Sequence, residues 1–268
     1  MHDPADPAPA PAPAPDLPAP RFCTRCGTPA APDGAPCAVC IAQAAPAAQP
    51  PDATVPLKSA LHFYFAQLLV IIGGGIAAKV FDDPHSAPTA VRIDLITTAV
   101  FSLVILVGSI RARRSLAGPL STLGAARWYL VAPGLALLTV GLSVLVCKGL
   151  TRLIDLPELR YSEDFLAAGY PWAVLILTIA VQPAIFEELA FRGVIGSAMQ
   201  RVVGPREAIL VTALLFATIH LSPASFPHLF VCGLALGYVR HRSGSLYPGM
   251  LLHFCHNGLV LLLEYLGV

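Results

Sequence analysis

Two adjacent carboxylates and an arginine, Glu187, Glu188 and Arg192, interrupt the apolar run from Gln182 to Gly193. An ionised side chain at the centre of a bilayer costs about 2.5–3.5 kcal/mol or more. Three such groups within six residues therefore need partners or a purpose. Two later runs carry further polar groups: Phe216-Ala-Thr-Ile-His220 and His253-Phe-Cys-His-Asn257. Residues four apart share a helix face, so Glu188 can pair with Arg192, Phe216 can lie beside His220, and His253 beside Asn257. Glu187 is turned about 100° from Glu188, which frees one glutamate while the other holds the arginine. Proton-exchanging groups beside an amide donor are the equipment for activating water and stabilising an oxyanion. The same residue types also build proton or ion pathways and buried polar networks that fix helix packing. The residues alone leave catalysis, transport and structure all open.

The elements that must carry these groups are membrane helices. Of 268 residues, 56% are hydrophobic and 12% charged, against about 25% charged in a soluble domain. Mean hydropathy is +0.69. The expected fold is an all-α, polytopic membrane helix bundle of about seven spans, within a range of six to eight. They fall near 60–80, 91–110, 127–148, 171–200, 206–221, 226–240 and 246–266. The fifth and sixth are short against the roughly 20 residues needed to cross the hydrocarbon. Pro183 is placed to kink the fourth. Arginines in the second, fourth and sixth connections (Arg111, Arg113, Arg114; Arg201, Arg206; Arg240, Arg242) put the N-terminus in the cytoplasm by the positive-inside rule. The expectation is a multi-pass cell-membrane protein whose first span serves for insertion, with the lipid bilayer as its surroundings. A net charge of +1 argues against nucleic acid as a partner.

The N-terminal quarter reads differently. Residues 1–21 are Pro/Ala-rich and expected to be disordered or polyproline II. Residues 22–41 hold Cys23, Cys26, Cys37 and Cys40 as two CxxC pairs ten residues apart. Each pair can place two thiolates on one tetrahedral ion. Four thiolates leave no open position, so the expectation is a structural zinc knuckle, cytoplasmic and reduced, with zinc supplying its folding free energy. It is similar to the short zinc ribbons at the N-termini of many bacterial membrane proteins. Recruiting a substrate, binding a protein partner and stabilising the tail are all uses open to it. Residues 42–58 are read as linker and 59–268 as the membrane domain. Cys147, Cys232 and Cys255 are expected to pack as small apolar residues.

Taken together, Glu187-Glu188-x-x-x-Arg192, Phe216-x-x-x-His220 and His253-x-x-x-Asn257 resemble the three-motif signature of the CAAX-protease and bacteriocin-processing (CPBP) family of intramembrane endopeptidases. The resemblance spans about 127–268. It implies a peptide or protein substrate and a hydrolysis without a covalent acyl-enzyme. Glu187 would be the general base on water, and His220 would hold or polarise that water. His253 and Asn257 would donate to the oxyanion, Glu188 with Arg192 would fix the helix, and Phe216 would pack near the site. A zinc at this site stays open, since two histidines and a glutamate could bind one, although the metal-free route is favoured. A non-catalytic scaffold or a proton-coupled transporter is the alternative. His256 is expected to be accessory, and His228 to lie at an interface.

Overall fold

Long apolar runs punctuated by proline and glycine set the architecture. The structure, a computed structural model, describes residues 54–81, 87–154 and 160–267, which belong to the compact unit Asp52–Val268. The Pro/Ala tail and the four-cysteine segment lie outside the described residues. Helix α1 spans Thr54–Val80, α2 Ala87–Arg111, α3 Arg113–Ser121, α4 Arg127–Ile154 and α5 Tyr161–Ala167. The next helical stretch, α6, runs Trp172–Val203. Then come α7 (Pro205–Ile219), α8 (Phe226–Ser243) and α9 (Tyr247–Tyr265). No strand occurs among the described residues. The chain is an all-α bundle with the character of a multi-pass membrane protein.

Among the described residues, five helical stretches are long and apolar enough to cross a membrane: Pro56–Val80, Pro88–Arg111, Arg127–Leu153, Trp172–Val203 and Tyr247–Leu266. Helices α7 and α8 match the fifth and sixth expected spans in position, but have 15 and 18 residues. At 1.5 Å per residue they reach about 22 and 27 Å, short of a hydrocarbon core of about 30 Å. Large apolar side chains point outward along the long helices, for example Leu130 at 81% and Leu153 at 79% exposure, as expected where lipid is the solvent. In α6, 39% of the most apolar window is buried, against 17% in α1 and α2, so α6 is the bundle's central helix.

Local chemistry explains the breaks. Gly204 (φ +88°) separates α6 from α7, and Pro205, Pro227 and Pro248 each sit in the first turn of the helix that follows, where a missing N–H costs nothing. Gly244 ends α8 in a left-handed conformation and donates its N–H to the Arg240 carbonyl. Helix α1 starts at Thr54, so residues 54–58, expected as linker, belong to the first helix. The short helices α3 and α5 fall in stretches expected as connections. Gly118 and Pro119 argue against a helix there, yet α3 forms because Leu116 is buried against Val194 and Leu246.

The core forms where α6, α7, α8 and α9 meet α1, around Phe191, Ile195, Phe216, Leu236 and Leu252. Close approach of α7 and α8 depends on two glycines. A Cβ on Gly233 would lie 2.9 Å from the Ala213 Cα, and one on Gly237 2.9 Å from the Ile209 Cγ2. This is small-residue packing of the kind that lets membrane helices touch. Tyr64 on α1 donates to the Leu215 carbonyl on α7, and Gln182 on α6 donates to Ser102 on α2 at 2.9 Å.

Candidate active site

Helix α6 is not a uniform α-helix. Ile176–Val181 and Glu188–Ile195 take π geometry, with the α segment Gln182–Glu187 between them. Such π segments are uncommon and are frequent at functional sites. Pro183 has no N–H to give the carbonyl four residues before it, that of Ile179. Asn257 on α9 supplies the donor instead: its Nδ2 lies 2.7 Å from the Ile179 oxygen. Proline and asparagine, far apart in sequence, thus satisfy one helix defect together.

The two glutamates sit where the α segment gives way to the second π segment, and they take different surroundings. Glu188 is fully buried. Its Oε1 accepts from Arg192 Nη1 at 2.8 Å and lies 3.2 Å from His253 Nδ1. Arg192 is held at two further points. Its Nη2 donates to the Gly233 carbonyl at 3.0 Å, and its guanidinium carbon stands 4.5 Å from the centre of the Phe216 ring, within cation–π range. Leu116 presses on the neighbouring Gly193. A buried ion pair is tolerated when extra hydrogen bonds satisfy both charges; here the condition is met in part, since Glu188 Oε2 and Arg192 Nε are buried without a hydrogen-bond partner among the described residues.

Glu187 makes no hydrogen bond through Oε2 among the described residues. That oxygen lies 3.9 Å from His253 Nε2, too long for a direct hydrogen bond. His253 therefore stands between the two carboxylates, held at Nδ1 by Glu188 and turning Nε2 to Glu187. Phe216 is the hub behind them. Its ring centre is 5.3 Å from Phe191, 5.8 Å from His253 and 5.1 Å from His220, all edge-on.

The structure brings Glu187, Glu188, Arg192, Phe216 and His253 into direct contact. His220 sits at the rim, solvent- or lipid-exposed, just past the end of α7. Its Nδ1–H donates to the Phe216 carbonyl at 2.8 Å, which leaves Nε2 as an acceptor. Leu221 follows with a left-handed φ of +52°, a conformation costing roughly 1–2 kcal/mol for an L-residue that turns the chain sharply after His220. Among the described residues no hydrogen bond joins His220 to Glu187 or His253; Phe216 is their common neighbour. Asn257 has one amide hydrogen on Ile179 and a second not used there.

Four contributors were not foreseen. Gly233 offers the carbonyl that holds Arg192. Gly249 on α9 leaves room for Glu188: a Cβ there would stand 3.1 Å from Oε2. Ile179 gives the carbonyl that anchors Asn257. Thr139 on α4 lies 2.8 Å from His256 Nδ1 through its hydroxyl. Of these, only Gly233 had a sequence signal, the Gly233-x-x-x-Gly237 spacing. His228, expected at an interface, is instead buried at 7% exposure, because α8 turns that side into the bundle.

No group of three His, Cys, Asp or Glu side chains among the described residues could hold a metal ion. Of the set considered from the sequence, Glu187 Oε2 and His253 Nε2 stand 3.9 Å apart, and as placed these two do not converge with a third such side chain on one metal position.

Residues 169–259 match the family model described as Type II CAAX prenyl endopeptidase Rce1-like. That region is about a third of the chain and holds all seven candidate residues. The match supports a CAAX-type intramembrane protease. No curated protein and no solved structure matches the chain.

Proposed function

We propose that the chain is an intramembrane endopeptidase in which Glu187 activates water for attack on a peptide bond. The observation that carries this reading is the division of labour between neighbouring glutamates. Glu188 is tied through Oε1 to both Arg192 and His253, with Oε2 unpartnered, while Glu187 pairs with no arginine and turns Oε2 to His253 Nε2 at 3.9 Å. A single water can hydrogen-bond both atoms across that separation. Glu187 takes its proton as the water attacks the scissile carbonyl, and the oxygen of that carbonyl becomes an oxyanion. His253 donates to it from Nε2, which requires protons on both ring nitrogens, and the unused amide hydrogen of Asn257 is the second donor. Glu187 then passes its proton to the leaving amine. His220 helps hold the water, Phe216 keeps both histidine rings in place, and Glu188 with Arg192 fixes the direction of Glu187. No step runs through a metal, because the donors do not converge on one.

The substrate in this reading is a membrane-associated peptide or protein. Prenylated C-termini, named in the description of the matching family, are the first candidates. The test presents farnesylated and unmodified peptides to the purified protein in liposomes and identifies products by mass spectrometry. Cleavage at one bond, lost in Glu187→Gln, supports the reading. Absence of cleavage across the panel, together with proton-coupled uptake of a solute, favours the transporter, and cleavage that survives in Glu187→Gln removes the assigned base.

The four N-terminal cysteines are proposed to hold one structural zinc on the cytoplasmic side. Metal analysis of the full chain purified under reducing conditions checks this. One zinc per chain, lost in C23S/C26S, is the expected result; an equal zinc content in that variant refutes it.

A further inference from the structure

A cavity of about 790 Å³ opens between α1, α2, α3 and α6, where its wall is Val194 and Ala198. Its size falls within the range of roughly 300–1,000 Å³ typical of ligand sites. Arg111 at the end of α2, Arg201 near the end of α6 and His62 in the third turn of α1 give it one polar, exposed end. Val107, Val104 and Leu103 continue the lining along α2, and Val107 and Leu103, at 38% and 58% exposure, leave this apolar part open at the side. Val104 is seven residues from Arg111, about 10 Å along the helix. Between them the Phe63 ring packs directly on Gly108.

We propose that this cavity binds one anionic phospholipid, taken from the leaflet that meets the arginine-bearing helix ends. Charge complementarity argues for the headgroup. No aspartate or glutamate lines the cavity, and neither Arg111 nor Arg201 has an acidic partner among the described residues. Arg201 spends one donor on the Ser115 hydroxyl at 3.1 Å and keeps its other N–H groups for phosphate oxygens, which arginine suits through its fork of donors. Basic pockets between membrane helices are established lipid-headgroup sites. The apolar stretch along α2 argues for the chain. A peptide entering beside Val104 and Leu103 would bury backbone polar groups without partners, whereas an acyl chain meets only apolar surface. The bound lipid would touch α6 at Val194 and Ala198, two and six residues beyond Arg192, and so hold the end of the second π segment in place. This site is independent of the reaction proposed above.

The test uses the full chain in phosphatidylcholine-type detergent micelles, titrated with phosphatidylglycerol, phosphatidylcholine or inorganic phosphate. Phosphatidylglycerol is expected to raise the unfolding temperature by several degrees and to give a one-to-one adduct in native mass spectrometry. R111Q/R201Q, with both changes at exposed positions, loses the adduct and the shift. V107W, which fills the apolar half, loses them too. R113Q/R114Q keeps both, since those arginines lie nearby but outside the cavity. Equal effects of phosphatidylcholine, an equal shift with inorganic phosphate alone, or equal losses in R113Q/R114Q and R111Q/R201Q would each overturn the proposal.

Discussion

At the scale of single residues, the two glutamates differ in what they touch, and this predicts opposite mutational behaviour. Arg192 bridges Glu188, the Gly233 carbonyl and the Phe216 ring. Removing one member of a buried pair costs about 3–5 kcal/mol because the other charge is stranded. Arg192→Ala is therefore expected to lower the unfolding temperature strongly and to reduce yield. Arg192→Lys rescues it only in part, since lysine lacks the planar fork that serves three contacts at once. Glu187→Gln should change stability by less than about 1 kcal/mol, since Oε2 makes no direct hydrogen bond to lose. Thermal unfolding of the three variants side by side checks this. The Glu188–Arg192 pairing was legible in the sequence, because four-residue spacing survives the switch to π geometry. The Gly233 carbonyl and the space above Gly249 were not, since a backbone oxygen and a missing side chain acquire their roles only from packing between distant helices.

At the scale of elements, α6 is the part that sequence periodicity describes least well. An ideal helix was the natural expectation, with Pro183 as a kink. The structure instead places π turns on both sides of the proline-bearing segment and recruits Asn257 for the Ile179 carbonyl. A double-mutant cycle tests that pairing. Asn257→Ala leaves a part-buried carbonyl unpaired and should cost about 1–3 kcal/mol. In a Pro183→Ala background, the restored N–H can serve Ile179, and the same change should cost clearly less. Equal costs in both backgrounds contradict the account. Gly249→Ala puts a methyl 3.1 Å from the Glu188 carboxylate, so it is expected to lower kcat more than it raises KM. Helices α3 and α5 were missed for a different reason. Each is under ten residues, and α3 is held by Leu116 against α6 and the start of α9 rather than by its own propensity.

At the scale of the whole molecule, composition alone was enough for a membrane bundle, and the positions of seven helices followed from the apolar runs. Which of them cross the bilayer did not follow as directly. Helices α7 and α8 carry Phe216 and Gly233, the inner supports of the site, and their shortness fits helices packed among others. The seven candidate catalytic residues fall on three helices, α6, α7 and α9, with His220 in the turn after α7, and the family match covers that stretch. Helices α1, α2 and α3, together with α6, build the basic cavity. Because no three ligands converge among the described residues, EDTA and 1,10-phenanthroline are expected to leave peptide cleavage unchanged when the N-terminal cysteines are replaced. Loss of cleavage in that variant, restored by added zinc, would show that the metal-free route is wrong.

The central claim is that Glu187, and not Glu188, is the base. The most direct measurement is single-turnover cleavage of one identified peptide by wild-type protein and Glu187→Gln, with peptide affinity measured on both. The account predicts unchanged affinity and a cleavage rate lower by at least about 100-fold, the scale of a lost general base. A Glu187→Gln protein that cleaves at the wild-type rate would contradict it.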